Sequence, residues 1–234
     1  MTELSNIVTN SYLILLLICH LLSDYYFQSQ KMADRKDQDI KVLGRHILYV
    51  ALPLFVVVLV HLDLWWICSL ILLSHAGIDY GKPWLQKKLK LKTSWTFALD
   101  QLLHIGIISC LVLLGAKNST SYLPMDSLKL IFYVLLVGKP TNIVFKILFA
   151  KYQPNMKKKM DTITGAGSMI GFLERLVIGA CLLYGQFASI GLVFTAKSIA
   201  RYNKISENPA FAEYYLIGSL FSILSALFAA WLCL

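Results

Sequence analysis

Charged residues are scarce in this chain. Asp, Glu, Lys and Arg make up 15% of its 234 residues, against roughly 25% in soluble domains, too little to coat a water-soluble fold. There is no long polar linker or low-complexity tract to separate soluble modules. The five cysteines, Cys19, Cys68, Cys110, Cys181 and Cys233, all fall in apolar segments without CxxC spacing. That pattern speaks against disulfides and zinc knuckles and for small packing residues. No Lys or Arg precedes the first apolar run, so a cleaved signal peptide is not expected, and residue 10 onward reads as a retained helix. The net charge of +9 comes without a basic helix or an aromatic platform, and no nucleic-acid partner is expected.

Apolar length is what the chain does have: 57% of it is hydrophobic and its mean hydropathy is +0.64. About 20 apolar residues span a bilayer, and such windows recur near 10–30, 46–61, 63–80, 95–115, 127–149, 165–184, 186–203 and 213–234. They predict an all-α fold, a polytopic transmembrane helical bundle of about eight spans, as one integral membrane domain over 1–234 in contact with the lipid bilayer. Its spans divide into a His- and Asp-bearing half, 1–115, and a Glu-, Arg- and Lys-bearing half, 127–234. Loop charges support the count. Five Lys or Arg lie in 31–45, none in 61–64, five in 82–92, at most one near 118–125, four in 151–159, none in 185–190 and three in 197–204. This alternation of basic and neutral connections is the positive-inside pattern with both termini outside.

An ionisable group at a helix centre in a bilayer costs at least ~2.5 kcal/mol, so each one calls for a partner, a water-filled cavity or a task. Three spans carry a pair four residues apart: His20 and Asp24, His75 and Asp79, Asp100 and His104. Residues at that spacing share a helix face. The order reverses in the span that runs the other way, so His20, His75 and His104 can lie at one depth, with Asp24, Asp79 and Asp100 a turn nearer the cytoplasm. His46 starts the second span on the same side and can join them. Imidazole with carboxylate suits a divalent transition metal, zinc, manganese or iron, with zinc the expected ion. An ion with an open position generates a nucleophile from water, and Asp24 or Asp100, if not a ligand, can serve as base. The alternative is that these polar pairs hold the bundle together. His61 and Asp63, in an outer turn, read as a solvated loop.

In the second half, Gly167 and Gly171 form a GxxxG pattern, which predicts close helix packing. Glu174 and Arg175 point about 100° apart and need partners elsewhere, for which Lys197, Arg201 and Glu213 are candidates. They form either a salt-bridge network or a site for an anionic group. Lys139, beside the helix-breaking Pro140, and Gln28 are further candidates for contact with an anionic or lipid-like substrate.

The runs HLLSDYYFQSQKMADRK, SHAGIDYGK, FALDQLLH, GFLERL, AKSIAR and AEYYLIGSL resemble, over nearly the whole chain, the bacterial membrane-protein family catalogued as domain of unknown function 3307. The resemblance implies a bacterial inner-membrane protein. Its motifs point to His20, Asp24, Gln28, His75, Asp79, Asp100, Gln101, His104, Glu174, Arg175, Lys197, Ser198 and Arg201. Members of the family often place a second histidine four residues after the one matching His46, where this chain has Val50. A fainter similarity, resting on intramembrane His and Asp alone, is to membrane-bound metal-dependent hydrolases. The leading expectation is therefore a membrane-embedded, metal-dependent hydrolase with a cytoplasm-facing site. Its rivals are a metal-ion or proton-coupled transporter and a non-enzymatic scaffold or partner subunit.

Overall fold

Side-chain caps and prolines divide the apolar runs into helices. The computed structural model describes residues 10–116, 122–154, 163 and 165–234. Asn10 Oδ1 accepts from the N–H groups of Tyr12 and Leu13 at 3.0 and 3.1 Å, satisfying donors that have no partner at a helix start, and so begins α1 (Ser11–Leu21). α1 widens into a π-helical turn, Leu22–Phe27, and Ser29 then caps the short α2 (Gln30–Arg35). Asp39 caps α3 (Ile40–Val60). A 3₁₀ turn, Leu62–Leu64, leads to α4 (Trp65–Leu89), followed by α5 (Thr93–Gly115). α6 (Met125–Leu136) and α7 (Lys139–Leu148) are parts of one apolar run broken at Gly138. α8 (Ala166–Leu183), α9 (Phe187–Ile199), α10 (Tyr202–Glu207) and α11 (Pro209–Cys233) complete the chain, α11 being capped by Asn208.

The protein is an all-α polytopic membrane protein, and the described residues include no strand. Six segments are long and apolar enough to cross a membrane: Ile40–Val60, Leu62–Leu89, Thr93–Gly115, Met125–Leu148, Ala166–Leu183 and Pro209–Cys233. The apolar helices Ser11–Phe27 and Phe187–Ile199 are shorter. On α3, Leu48, Leu52, Phe55 and Leu59 are exposed while Val50, Leu54 and Val57 are buried. An apolar outer face of that extent is unfavourable in water and matches lipid.

The chain folds as two compact units, Met1–Phe132 and Tyr133–Leu234. In the first, α1, α3, α4 and α5 pack around an apolar core that includes Leu16, Val50, Leu54, Ile71, Ile108 and Val112. Pro53 has no N–H to pair with the Tyr49 carbonyl one turn back; Ser23 Oγ of the π-turn, which bonds the Cys19 carbonyl at 2.8 Å, also lies 3.4 Å from that carbonyl. One expectation fails here. His61 is buried, not solvated: its Nδ1 lies 3.3 Å from the Tyr12 hydroxyl, and its ring stacks on Tyr122.

In the second unit, α8 packs against α7, α9 and α11. Pro140 lacks the N–H that would reach the Leu136 carbonyl, and Thr141 Oγ1 donates there instead, at 2.7 Å. The close packing expected of the GxxxG pattern occurs elsewhere. A Cβ on Gly167 would meet nothing within 4 Å, and one on Gly171 would meet only the Arg175 side chain. The glycine that does admit a neighbouring helix is Gly179, where the Tyr133 hydroxyl occupies the place of a Cβ and donates to the Arg175 carbonyl at 2.7 Å.

Candidate metal centre

Rows of residues four apart run from the core of the first unit straight into a polar layer. They read Tyr12, Leu16, His20, Asp24 on α1 and its π-turn; Leu54, Val50, His46 on α3; Ile67, Ile71, His75, Asp79 on α4; and Val112, Ile108, His104, Asp100 on α5. The helices alternate in direction, so all four rows turn polar at the same end. The seven His and Asp side chains expected to converge do so, and all are buried. His46 is the most deeply buried of them, at 0% exposure. Val50, where the family often has a second histidine, belongs to the apolar core.

At the centre, His46 Nε2 lies 3.2 Å from His75 Nε2. Asp79 Oδ2 is 3.1 Å from the first and 3.5 Å from the second, and Asp24 Oδ1 is 3.6 and 3.4 Å from the same two nitrogens. Ligand atoms about 2.0–2.1 Å from a tetrahedral ion are separated by about 3.3 Å, so His46 Nε2, His75 Nε2 and Asp79 Oδ2 have the mutual spacing of coordinating atoms, and Asp24 Oδ1, from a third helical segment, lies at a similar distance from both imidazoles. Asp24 Oδ1 has no hydrogen-bond partner among the described residues. The donor types and their spacing fit a divalent transition metal. Three overlapping groups could hold one: His20, Asp24, His75; His46, His75, Asp79; and Asp79, Asp100, His104, the ligand atoms within each lying within 4.8 Å of one another.

The surrounding contacts orient these groups. His104 Nδ1 lies 2.7 Å from the Asp100 backbone carbonyl, so Nδ1 carries the proton and Nε2 presents its lone pair, the arrangement usual for a metal-binding histidine. The Gln101 amide ties α5 to α1 and its π-turn. Its oxygen accepts from Tyr25 at 2.8 Å and lies 3.2 Å from His20 Nε2, and its nitrogen donates to Asp24 and Asp100 at 3.4 and 3.2 Å. Asp24 sits in the π-turn, a distortion found often at functional sites. Gln28 closes that turn, its N–H donating to the Ser23 carbonyl, and its Oε1 is buried without a partner.

Two lysines reach into the layer. Lys36 Nζ donates to both carboxylate oxygens of Asp79, at 3.0 and 2.9 Å, and Lys82 Nζ is 3.4 Å from Asp100. Burial alone would lower the Lys36 pKa, but Asp79, Asp24 and Asp100 together outweigh it and hold the ammonium above its usual range. Periodicity missed Lys36, which reads as one more orienting loop charge. The available signal was its place at the end of HLLSDYYFQSQKMADRK. The Ser29-capped turn of α2 is what carries it back to the cluster.

Two openings adjoin the layer. A cavity of about 520 Å³ exposes Lys36 and Asp79 beside Tyr80 and Trp84. A groove of about 240 Å³ between α4 and α5 is lined by Ile78, Leu85, Leu99 and Leu103 together with Asp100 and Lys82.

The candidates of the second half lie in the second unit, around a cavity of about 410 Å³. Lys197 Nζ donates to Glu174 Oε2 at 2.6 Å. Arg175 is taken up by structure: Nε donates to the Val137 carbonyl at 2.6 Å, Nη2 to Asn142 Oδ1 at 2.7 Å, and Nη1 to Ser222 at 3.4 Å. Arg201 lines the cavity, whereas Lys139 and Glu213 lie exposed at helix starts.

A profile for a family described as a protein of unknown function, DUF3307, matches residues 12–134. The runs GFLERL, AKSIAR and AEYYLIGSL lie outside that match, so the resemblance over nearly the whole chain narrows to its first half and a little more. No curated protein and no solved structure matches, so the similarity to hydrolases still rests on the His and Asp residues alone.

Proposed function

This chain belongs to the DUF3307 family of unknown function, and we propose that it is a divalent-metal-dependent hydrolase embedded in the bacterial inner membrane. The observation that carries the reading is an excess of bare donors. Four atoms satisfy one tetrahedral ion, yet Asp100 Oδ1, His104 Nε2 and His20 Nδ1 are buried beside them with no hydrogen-bond partner among the described residues. A purely structural cluster would pair such atoms, since each buried unpaired group costs about 1–3 kcal/mol. Their retention supports a site built to engage a ligand.

A divalent ion held there supplies Lewis acidity and lowers the pKa of water toward ~7, with zinc the best match to this donor set. The chain's own residues do the rest. Asp100 and His20 are the bare groups within reach to take a proton from water and return it to the leaving group. Gln101 and Tyr25 keep Asp24, Asp100 and His20 in register. Lys82, which lines the apolar groove, suits the anionic end of an amphiphile whose tail lies against Leu85, Leu99 and Leu103. Lys36 and Lys82 belong to the basic loops 31–45 and 82–92, so under the positive-inside pattern the site faces the cytoplasm and both termini lie outside.

Purification in detergent, followed by elemental analysis, tests this. At least one transition-metal ion per chain is expected, and Asp79→Ala should abolish it. A metal-free wild type that also shows no affinity for added zinc or manganese would sink the proposal. Cysteine labelling that reached the His layer from both faces of the membrane would favour transport.

A further inference from the structure

The cluster contains more than one ion's worth of ligands, and their sharing is uneven. His46, His75 and Asp79 form one group with ligand atoms within 4.8 Å of one another, and Asp24 Oδ1, 3.6 and 3.4 Å from the two imidazole nitrogens, would complete the shell of a first ion. A closed shell of this kind leaves no corner for a substrate. Asp79, Asp100 and His104 form a separate group with ligand atoms within 4.8 Å of one another, and only Asp79 belongs to both sets. Asp100 and His104 are 5% and 3% exposed, and the Asp100 carbonyl holds the His104 ring so that its bare Nε2 is turned away from its own helix. Three protein ligands leave a fourth corner open, as catalytic positions do and structural ones do not.

We infer that the cluster holds two divalent ions bridged by Asp79, the second on Asp100 and His104 with an open corner, and that the substrate is a phosphate ester. The inference rests on the hydrolase reading. Charge connects its two parts. Asp24, Asp79 and Asp100 contribute three negative charges and Lys36 and Lys82 two positive ones, so two divalent ions bring the buried layer to a net positive charge of about three with neutral histidines. Such a layer needs an anion. A phosphoryl group supplies two charges and oxygens able to meet both ions, whereas a carboxylic ester or amide supplies none. In the reaction the oxygen of water bonds to phosphorus and the P–O bond to the alcohol breaks. One proton from water passes to the departing alcohol oxygen, leaving phosphate and free alcohol. With Asp100 engaged as a ligand, His20 Nδ1 is the remaining bare acceptor for that proton.

The test is a manganese(II) titration of the purified full-length protein in detergent, with and without inorganic phosphate, reading free ion by electron paramagnetic resonance. Two ions per chain are expected, the second binding at least ten-fold more tightly with phosphate present. His104→Gln should hold one ion with no phosphate effect, and Asp100→Asn should match it. Retention of Cys68 protection from a thiol reagent shows that each variant is folded. A wild type that binds one ion with or without phosphate overturns the inference while leaving the hydrolase reading intact, and a wild type that binds none overturns both. Two ions bound with no phosphate effect refute the assignment of a phosphate ester.

Discussion

Arg175 in the second unit and Asp24 in the first are both buried, but their surroundings differ. Every nitrogen of the Arg175 guanidinium donates to a named acceptor, and two of those acceptors, the Val137 carbonyl and Asn142, flank the break between α6 and α7. Its charge is used to secure a helix interruption. Asp24 has one oxygen bonded to Gln101 and the other 3.6 and 3.4 Å from two histidine nitrogens, without a hydrogen-bond partner among the described residues. A buried polar group that is fully matched adds stability, and one left open by well-ordered neighbours marks a place for a ligand. Burial alone separates neither case from the other; the hydrogen-bond inventory does.

The contrast can be broken most forcefully by removing metal. Chelation should cost the first unit about 4 kcal/mol if the ion is normally present at a thousand times its Kd. Heating would then make Cys68 reactive at a lower temperature, with Cys233 in the second unit unchanged; both are buried thiols outside any disulfide. Equal shifts at the two cysteines would erase the distinction. Next in size, Arg175→Ala should cost the second unit about 2–4 kcal/mol, because the Val137 carbonyl and Asn142 lose their donors, while metal content measured by elemental analysis stays at the wild-type value. Lysine at that position cannot supply the same fork of donors and should rescue little. Thr141→Val is a smaller cut at the same break, about 1 kcal/mol from the lost bond to the Leu136 carbonyl, again read as earlier exposure of Cys233. The smallest effect concerns Lys36. Its folded pKa is raised, so its bond to Asp79 is fully present below the ordinary lysine value and is lost only as pH climbs through the raised one. Amine acylation at about pH 9 should therefore modify Lys146, which is exposed, and spare Lys36, as mass spectrometry would show. Ready modification of Lys36 would mean that the ammonium is not held as described.

Much of the first unit was legible because a bilayer makes polar residues conspicuous. Eight apolar windows became apolar helices, and the pairs at 20 and 24, 75 and 79, and 100 and 104 converge in one buried polar layer. The second unit was less readable. GxxxG spacing pointed to Gly167 and Gly171, but the close approach is at Gly179, since spacing says nothing about which side of a helix its neighbour occupies. Glu174 and Arg175 looked alike as buried charges needing partners. One formed an ion pair with Lys197 and the other was taken up by a backbone carbonyl and two uncharged side chains, Val137, Asn142 and Ser222, acceptors that no pattern of charges displays. Lys36 and His61 were misjudged for a related reason: each sits in a connection, where sequence implies solvent, and each is covered by a helix distant in the chain.

By itself, then, the sequence determined membrane integration, helical class and the depth at which histidine and aspartate gather, because the bilayer fixes helix length and the four-residue row fixes which side chains share a face. Tertiary structure decided which atoms meet: His46 at the centre, Lys36 on Asp79, Gln101 between α5 and the α1 π-turn, Arg175 on a broken helix. Those contacts depend on the rotation of each helix about its axis and on the path of short connections, both set by packing across segments far apart in the chain.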